Sequence, residues 1–308
     1  MEHLGVDPWL LAIAAAAGFA VYTVILEYGM AWADTERSAA LSAAFYSTLV
    51  VTTGFWTLAL ARGIPNGALT LENLWPFLVA GIAYPALFRF LYFEGVDRVG
   101  ASITGALMGA YPAVSVVLAV ALLGQMIGLV SGTGIVLIVG GVVLLQFTRE
   151  SGGIEDVIAE KLAAAAPRDL LYPLAAMLLT GLAFVLIDFG LAEFPDPIVA
   201  TAVTQTPALV LFTGWAVAVG SRTGDYRVGR TALGAFVLGG GFNFLAWLAN
   251  FFALQTGDVV TVVPLLNTMP LLIMTITYGI NREVPRSGRL IATVVAIVVG
   301  ATLVQIGS

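Results

Sequence analysis

The chain has 308 residues, of which 59% are hydrophobic and only 10% are charged. A water-exposed globular domain carries about 25% charged residues, so that class is excluded. Cysteine is absent, the single histidine is His3 and the single lysine is Lys161 in a polar stretch. This removes disulfides, thiolate chemistry, Cys- or His-based metal centres and a Schiff base inside a spanning helix, and neither a metal nor a cofactor is expected.

A membrane span needs roughly 20 mainly apolar residues. Ten stretches qualify, at about 8–30, 39–61, 73–96, 100–122, 127–147, 169–191, 197–220, 230–254, 259–280 and 287–306. No basic segment precedes the first, which reads as a spanning helix and not as a cleaved signal. Short connections such as Gly124 to Met126 and Thr256 to Asp258 make consecutive spans antiparallel. The long connection is 148–168, where Gly152-Gly153 and Pro167 bracket an amphipathic segment that reads as an interfacial helix. It divides the chain into a first unit at 1–147 and a second at 169–308.

The two halves resemble each other. VILEYGMA (Val24 to Ala31) matches VLIDFGLA (Val185 to Ala192), so Glu27 is paired with Asp188, 161 residues later. Pro112 matches Pro270 at an offset of 158, and Gly141, Leu144 and Gln146 match Gly300, Leu303 and Gln305 at 159. Collinear matches at nearly constant offset point to duplication. An odd number of spans per unit then requires the halves to lie inverted in the bilayer, as in many secondary transporters. The expected fold is an all-α membrane protein of ten transmembrane helices, arranged as two inverted five-helix repeats.

With this plan go an aromatic third span running into a small-residue fourth span with a central proline, FRFLYFEGVDRVGASITGALMGAYP (Phe88 to Pro112), and an ALLGQ end (Ala121 to Gln125). On these features the chain resembles the drug/metabolite transporter superfamily, EamA type, over nearly its whole length. Gln125 stands where that family commonly has Glu, and Glu27 where it often has a basic residue. Lys and Arg in short loops set orientation. Eleven lie on the side reached after spans one, three, five, seven and nine, and only Arg62 on the other. This places both termini outside, whereas family members are often described with both inside.

Candidate site residues are polar groups within apolar runs. Asn243, Trp247 and Asn250 fall within about 60° of one another on a helix. Asn267, Pro264 and Pro270 interrupt the next span, and helix breakers at membrane depth are tolerated beside protein or a water-filled cavity. Arg89 lies inside span three, where an ionised side chain costs several kcal/mol unless paired or wetted. It either faces a cavity and meets an anionic or zwitterionic group, or forms a structural pair with Glu27 or Glu94. Aligned on the repeat, Pro85, Arg89 and Tyr92 fall opposite Asn243, Trp247 and Asn250. Tyr92 and Tyr111, with the three asparagines, can hydrogen-bond or stack a small polar solute, or join helices. Gln205, Thr206 and Pro207 form a weaker candidate. Glu27 and Asp188 are read as gating or proton-coupling carboxylates at opposite mouths, or as interfacial acids that reach to water. Small residues every four positions (Ala101, Gly105, Gly109, Ala113; Gly288, Ala292, Ala296, Gly300) make ridges for close helix packing.

The expected activity is secondary transport of a small organic solute by alternating access, coupled to protons or working by exchange, in the plasma membrane. No GxxxxGK[ST] loop points to ATP. The solute and membrane lipids are the expected partners, nucleic acid is not, and the protein is a monomer or a homodimer. The alternatives are an intramembrane enzyme, for which no HExxH, GxGD or deep carboxylate pair is present, and a channel or receptor.

Overall fold

The computed structural model describes residues 6–33, 36–65, 67–147, 166–223, 228–281 and 288–307. Among these, ten helical spans are long and apolar enough to cross a membrane. Each lies within a few residues of its expected position. The amphipathic segment expected at 148–168 falls almost wholly outside the described residues.

The spans form thirteen helices: α1 (Pro8–Ala31), α2 (Glu36–Arg62), α3 (Leu71–Gly81), α4 (Phe88–Val99), α5 (Ala101–Gly109), α6 (Tyr111–Leu123), α7 (Leu129–Phe147), α8 (Leu171–Glu193), α9 (Pro197–Thr223), α10 (Arg230–Thr256), α11 (Val259–Leu266), α12 (Met269–Asn281) and α13 (Gly288–Gly307). The excess over ten comes from three interrupted spans. Span three contains a π-helical turn, Ile82–Leu87, in which Tyr84 has extended dihedrals (φ −145°, ψ 121°). Pro85, next to it, lacks the N–H that a continuous helix needs there. Spans four and nine break just before Pro112 and Pro270, at Ala110 and at Asn267–Thr268.

The chain divides into two compact units, Met1–Ile82 with Leu186–Thr256, and Ala83–Val185 with Gly257–Ser308. Each unit draws on both halves of the sequence.

In the first unit, α1 and α10 form the most extensive pairing. Ala12, Ala15, Ala16 and Ala20 are wholly buried along one face of α1. A Cβ on Gly18 would lie 2.9 Å from Ala246 Cβ, on Gly239 2.5 Å from Leu26, and on Gly29 2.8 Å from Ala235 Cβ. The pairing is therefore antiparallel and uses small residues to bring backbones together. α2 packs between α9 and α10. Phe55 packs on Phe244 with tilted rings at 4.3 Å, and Trp56 Nε1 donates to Thr206 Oγ1 at 3.0 Å. α3 lies so close to α9 that a Cβ on Gly81 would sit 2.1 Å from the Thr204 carbonyl oxygen.

In the second unit, the ridge on α5 packs on α7, with Gly105 against Gln146 and Gly109 against Val142. α7 also packs on α13, where a Cβ on Gly134 would meet the Gly300 carbonyl oxygen at 2.6 Å. Of the expected ridges, Gly105, Gly109 and Gly300 do this packing, whereas Ala101, Ala113, Gly288 and Ala292 are exposed. Gly100, the single residue between α4 and α5, has φ 88°, and nothing lies within 4 Å of its Cβ position. Glycine is required there for backbone conformation and not for space.

Candidate functional site

The residues singled out from the sequence fall into both units. Asn243, Trp247, Asn250, Gln205, Glu27 and Asp188 belong to the first; Arg89, Tyr92, Tyr111 and Asn267 belong to the second.

In the first unit the Asn243–Trp247–Asn250 stripe is buried, at 4%, 3% and 0% exposure. Its register follows from α1: Ala246 lies on Gly18, so Asn250, one turn further, faces the turn around Ala15. Trp247 is held by protein rings, edge-to-face with Phe19 at 5.6 Å and tilted on Phe251 at 5.8 Å. The plane expected to stack a solute is thus engaged by aromatic neighbours. Asn250 differs. Neither its Oδ1 nor its Nδ2 has a hydrogen-bond partner among the described residues. An amide buried in that way costs about 1–3 kcal/mol. Polar groups buried without partners are uncommon enough to call for a specific explanation.

Gln205 on α9 is also buried, at 2% exposure, and its Nε2 is unpartnered among the described residues. Its height relative to the stripe follows from a tie between α9 and α10, where Gln255 Nε2 donates to the Pro195 carbonyl at 2.8 Å. At 1.5 Å per residue, Gln205 is about 15 Å along α9 from that tie, while Asn250, Trp247 and Asn243 are about 8, 12 and 18 Å along α10. Gln205 therefore sits level with the Asn243–Trp247 end of the stripe, about 7 Å in height from Asn250.

Glu27 and Asp188 lie near opposite ends of this unit. Gly29, beside Glu27, packs on Ala235 and Phe236 at the start of α10. Gly190, beside Asp188, packs on Phe77 and Pro76 of α3, toward the end where α10 finishes. Glu27 is exposed and Asp188 half-buried. Asp196, which the sequence reading passed over, is more deeply placed. It pairs with Arg62, and its Oδ1 accepts from the Val199 N–H at 3.1 Å, capping α9. The sole signal for it was Arg62, the one basic residue on its side; the partner is 134 residues away.

In the second unit Asn267 is a helix-break residue. Its Nδ2 donates to the Gly109 carbonyl at 2.8 Å. That carbonyl is available because the Ala113 N–H turns to Ala110 O instead, at 3.0 Å. The breaks in spans four and nine are thus joined by one buried hydrogen bond. Gln125 serves similarly, its Oε1 accepting the Val260 N–H at 3.3 Å at the start of α11. An amide in that place satisfies a helix N-terminus.

Tyr111 stacks on Phe184 at 5.7 Å, and Tyr84 meets the same ring at 5.9 Å. Phe88 continues the series to Tyr92 at 5.6 Å. Phe184 was not recognised from the sequence; nothing in its apolar surroundings distinguishes it. Arg89 is half-buried on α4. Of the two acids named as its possible partners, Glu94 pairs with Arg98 at 2.9 Å, and Arg98 also contacts Asp169 at 3.3 Å and lies 4.3 Å over the Tyr172 ring. Arg89 and Glu94 lie about 140° apart around a helix.

Among the described residues no three His, Cys, Asp or Glu side chains converge as a metal site would need. No curated protein matches the chain. A solved chain, known only as "Crystal structure of protein", superposes with a TM-score of 0.77 at 19% identity, covering 97% of this chain and 96% of its own. At that identity the likeness speaks for the fold alone. The model of the EamA-like transporter family matches twice, over residues 8–147 and 168–305. With ten apolar spans and both matches together covering nearly its whole length, the chain belongs to the EamA-like transporter family.

Proposed function

We propose that this protein is a secondary carrier that moves a small organic solute across the plasma membrane by alternating access. The observation that carries the reading is Asn250, an amide at 0% exposure with both polar atoms unpartnered among the described residues. A polar group kept at that cost inside an apolar span suits a solute-binding role. Asn243 and Gln205, about 7–10 Å further along the same unit, extend the polar surface, beside the packed indole of Trp247. In the second unit, Arg89, Tyr92 and Tyr111 are the further candidate solute-binding residues, while Asn267 joins the breaks of spans four and nine.

Two inverted five-helix repeats, 1–147 and 169–308, supply the symmetry that alternating access uses. Glu27 and Asp188, near opposite ends of their unit, serve as the gating or proton-coupling carboxylates. Both termini lie outside; a Ser151→Cys variant of this cysteine-free chain should resist an impermeant maleimide on intact cells, and labelling would reverse the orientation. The carrier reading is tested by purifying the protein, reconstituting it in liposomes and screening uptake and counterflow of amino acids, sugars and quaternary amines, with and without a proton gradient. Saturable uptake of one class is expected. Absence of transport for every class would overturn the reading.

A further inference from the structure

Resting on the carrier reading, we infer that the part of the solute that meets Asn250 is an uncharged amide-type edge. Such an edge sets a hydrogen-bond acceptor beside a donor, as in a carboxamide, a lactam or the edge of a nucleobase. The argument starts from the two unpartnered atoms. An asparagine amide offers an acceptor oxygen and a donor nitrogen across one planar carbon. Both are unsatisfied among the described residues, so the complement must supply a donor and an acceptor together. A carboxylate offers acceptors only: it would satisfy Nδ2 and set an anionic oxygen against Oδ1. An ammonium offers donors only and would leave Nδ2 facing like polarity. A sugar diol has both roles, but its hydroxyls rotate freely and hold no fixed edge.

The surroundings point the same way. Asn250 faces the wholly buried alanine surface of α1, with Ala12, Ala15 and Ala16 at 0% exposure, and is followed on its own helix by the buried Phe251. Further along the same unit, about 7 Å in height from Asn250, another neutral amide donor, Gln205 Nε2, is also unpartnered among the described residues. Asp196 is already taken by Arg62 and the Val199 N–H. Asp196 lies next to the tie at Pro195, about 6 Å in height from Asn250, and is held in that pair. An ion brought to Asn250 itself would lose its water against an apolar alanine face and a neutral amide, which a low-dielectric interior penalises heavily. A neutral amide edge meets no such penalty. A site built to pair both roles also discriminates strongly against analogues lacking one of them.

The test uses the full-length protein in detergent and isosteric amide–acid pairs: glutamine with glutamate, asparagine with aspartate, nicotinamide with nicotinate. Thermal unfolding is followed against concentration for the parent, Asn250→Leu and Asn250→Asp. At least one amide should raise the parent's melting temperature, and its acid partner should need about tenfold or more higher concentration for the same shift. Asn250→Leu should lose the amide's shift while its unliganded melting temperature is kept or raised. Asn250→Asp keeps the shape but is acceptor-only when ionised, and it should lose the preference for the amide. The inference is overturned if acids match their amides, if no amide shifts the parent, or if both variants keep the parent's discrimination. Uptake separates the two readings: a transported quaternary amine or sugar would overturn this inference and leave the carrier standing, whereas no transport of any class overturns both.

Discussion

Asn267 and Asn250 are the same residue type, both buried in apolar spans, at 5% and 0% exposure. Asn267 sits where span nine is broken, and its amide takes a carbonyl that the break in span four has released. Asn250 sits on α10, unbroken from Arg230 to Thr256, against α1, unbroken from Pro8 to Ala31, so neither helix has a spare mid-span backbone group to offer. The difference is one of backbone supply. A broken helix frees carbonyls that a side-chain amide can satisfy. A continuous helix satisfies its own, and a buried amide beside an alanine face then has nothing to bond. Burial and residue type do not decide whether a polar residue is structural; the partner does.

The comparison can be broken or sharpened by substitution, with stability read by thermal unfolding. The largest effect is expected at Trp247, whose ring is packed between Phe19 and Phe251. Trp247→Ala should cost about 3–5 kcal/mol, as aromatic truncations in packed interiors do. A cost under about 1 kcal/mol would show that the indole faces open space and belongs with Asn250, not with the packing. Next is the backbone itself. Leu248→Pro within the continuous α10 should cost about 3 kcal/mol or more, because the missing N–H and the ring clash both act on an intact helix. Near-neutral behaviour would mean that α10, like span nine, tolerates a break. Smaller is Asn267→Leu, which strands the Gly109 carbonyl and should cost about 1–3 kcal/mol. If it costs nothing, the bond between the two breaks is not what holds them.

The span count, the span limits and the breaks at Pro112 and Pro270 were legible because each rests on local chemistry: apolar length, and a proline that lacks a donor. The break in span three was readable in principle from Pro85 but was not drawn out. Its counterpart in the repeat is Asn243, which keeps its N–H, and span eight is accordingly continuous. The Asn243–Trp247–Asn250 face was correctly grouped by helical spacing. Spacing could not say that Phe19 would occupy the indole or that both polar atoms of Asn250 would be buried without partners, since both depend on a helix more than 200 residues earlier in the chain. The Arg62–Asp196 pair escaped for the same reason. An amide in an apolar run, such as Asn267, looks alike in sequence whether it binds a solute or ties two helices.

The most direct measurement sets Asn250→Leu beside Asn267→Leu and the parent, each unfolded thermally with and without a solute verified by uptake. The parent should be stabilised by the solute. Asn250→Leu should be as stable as the parent or more so, by up to about 1–3 kcal/mol as the unpaired amide is removed, and should lose the solute's effect. Asn267→Leu should be weakened before any solute is added. If Asn250→Leu keeps the parent's full response, or loses as much stability as Asn267→Leu, Asn250 is a structural amide and the account is wrong.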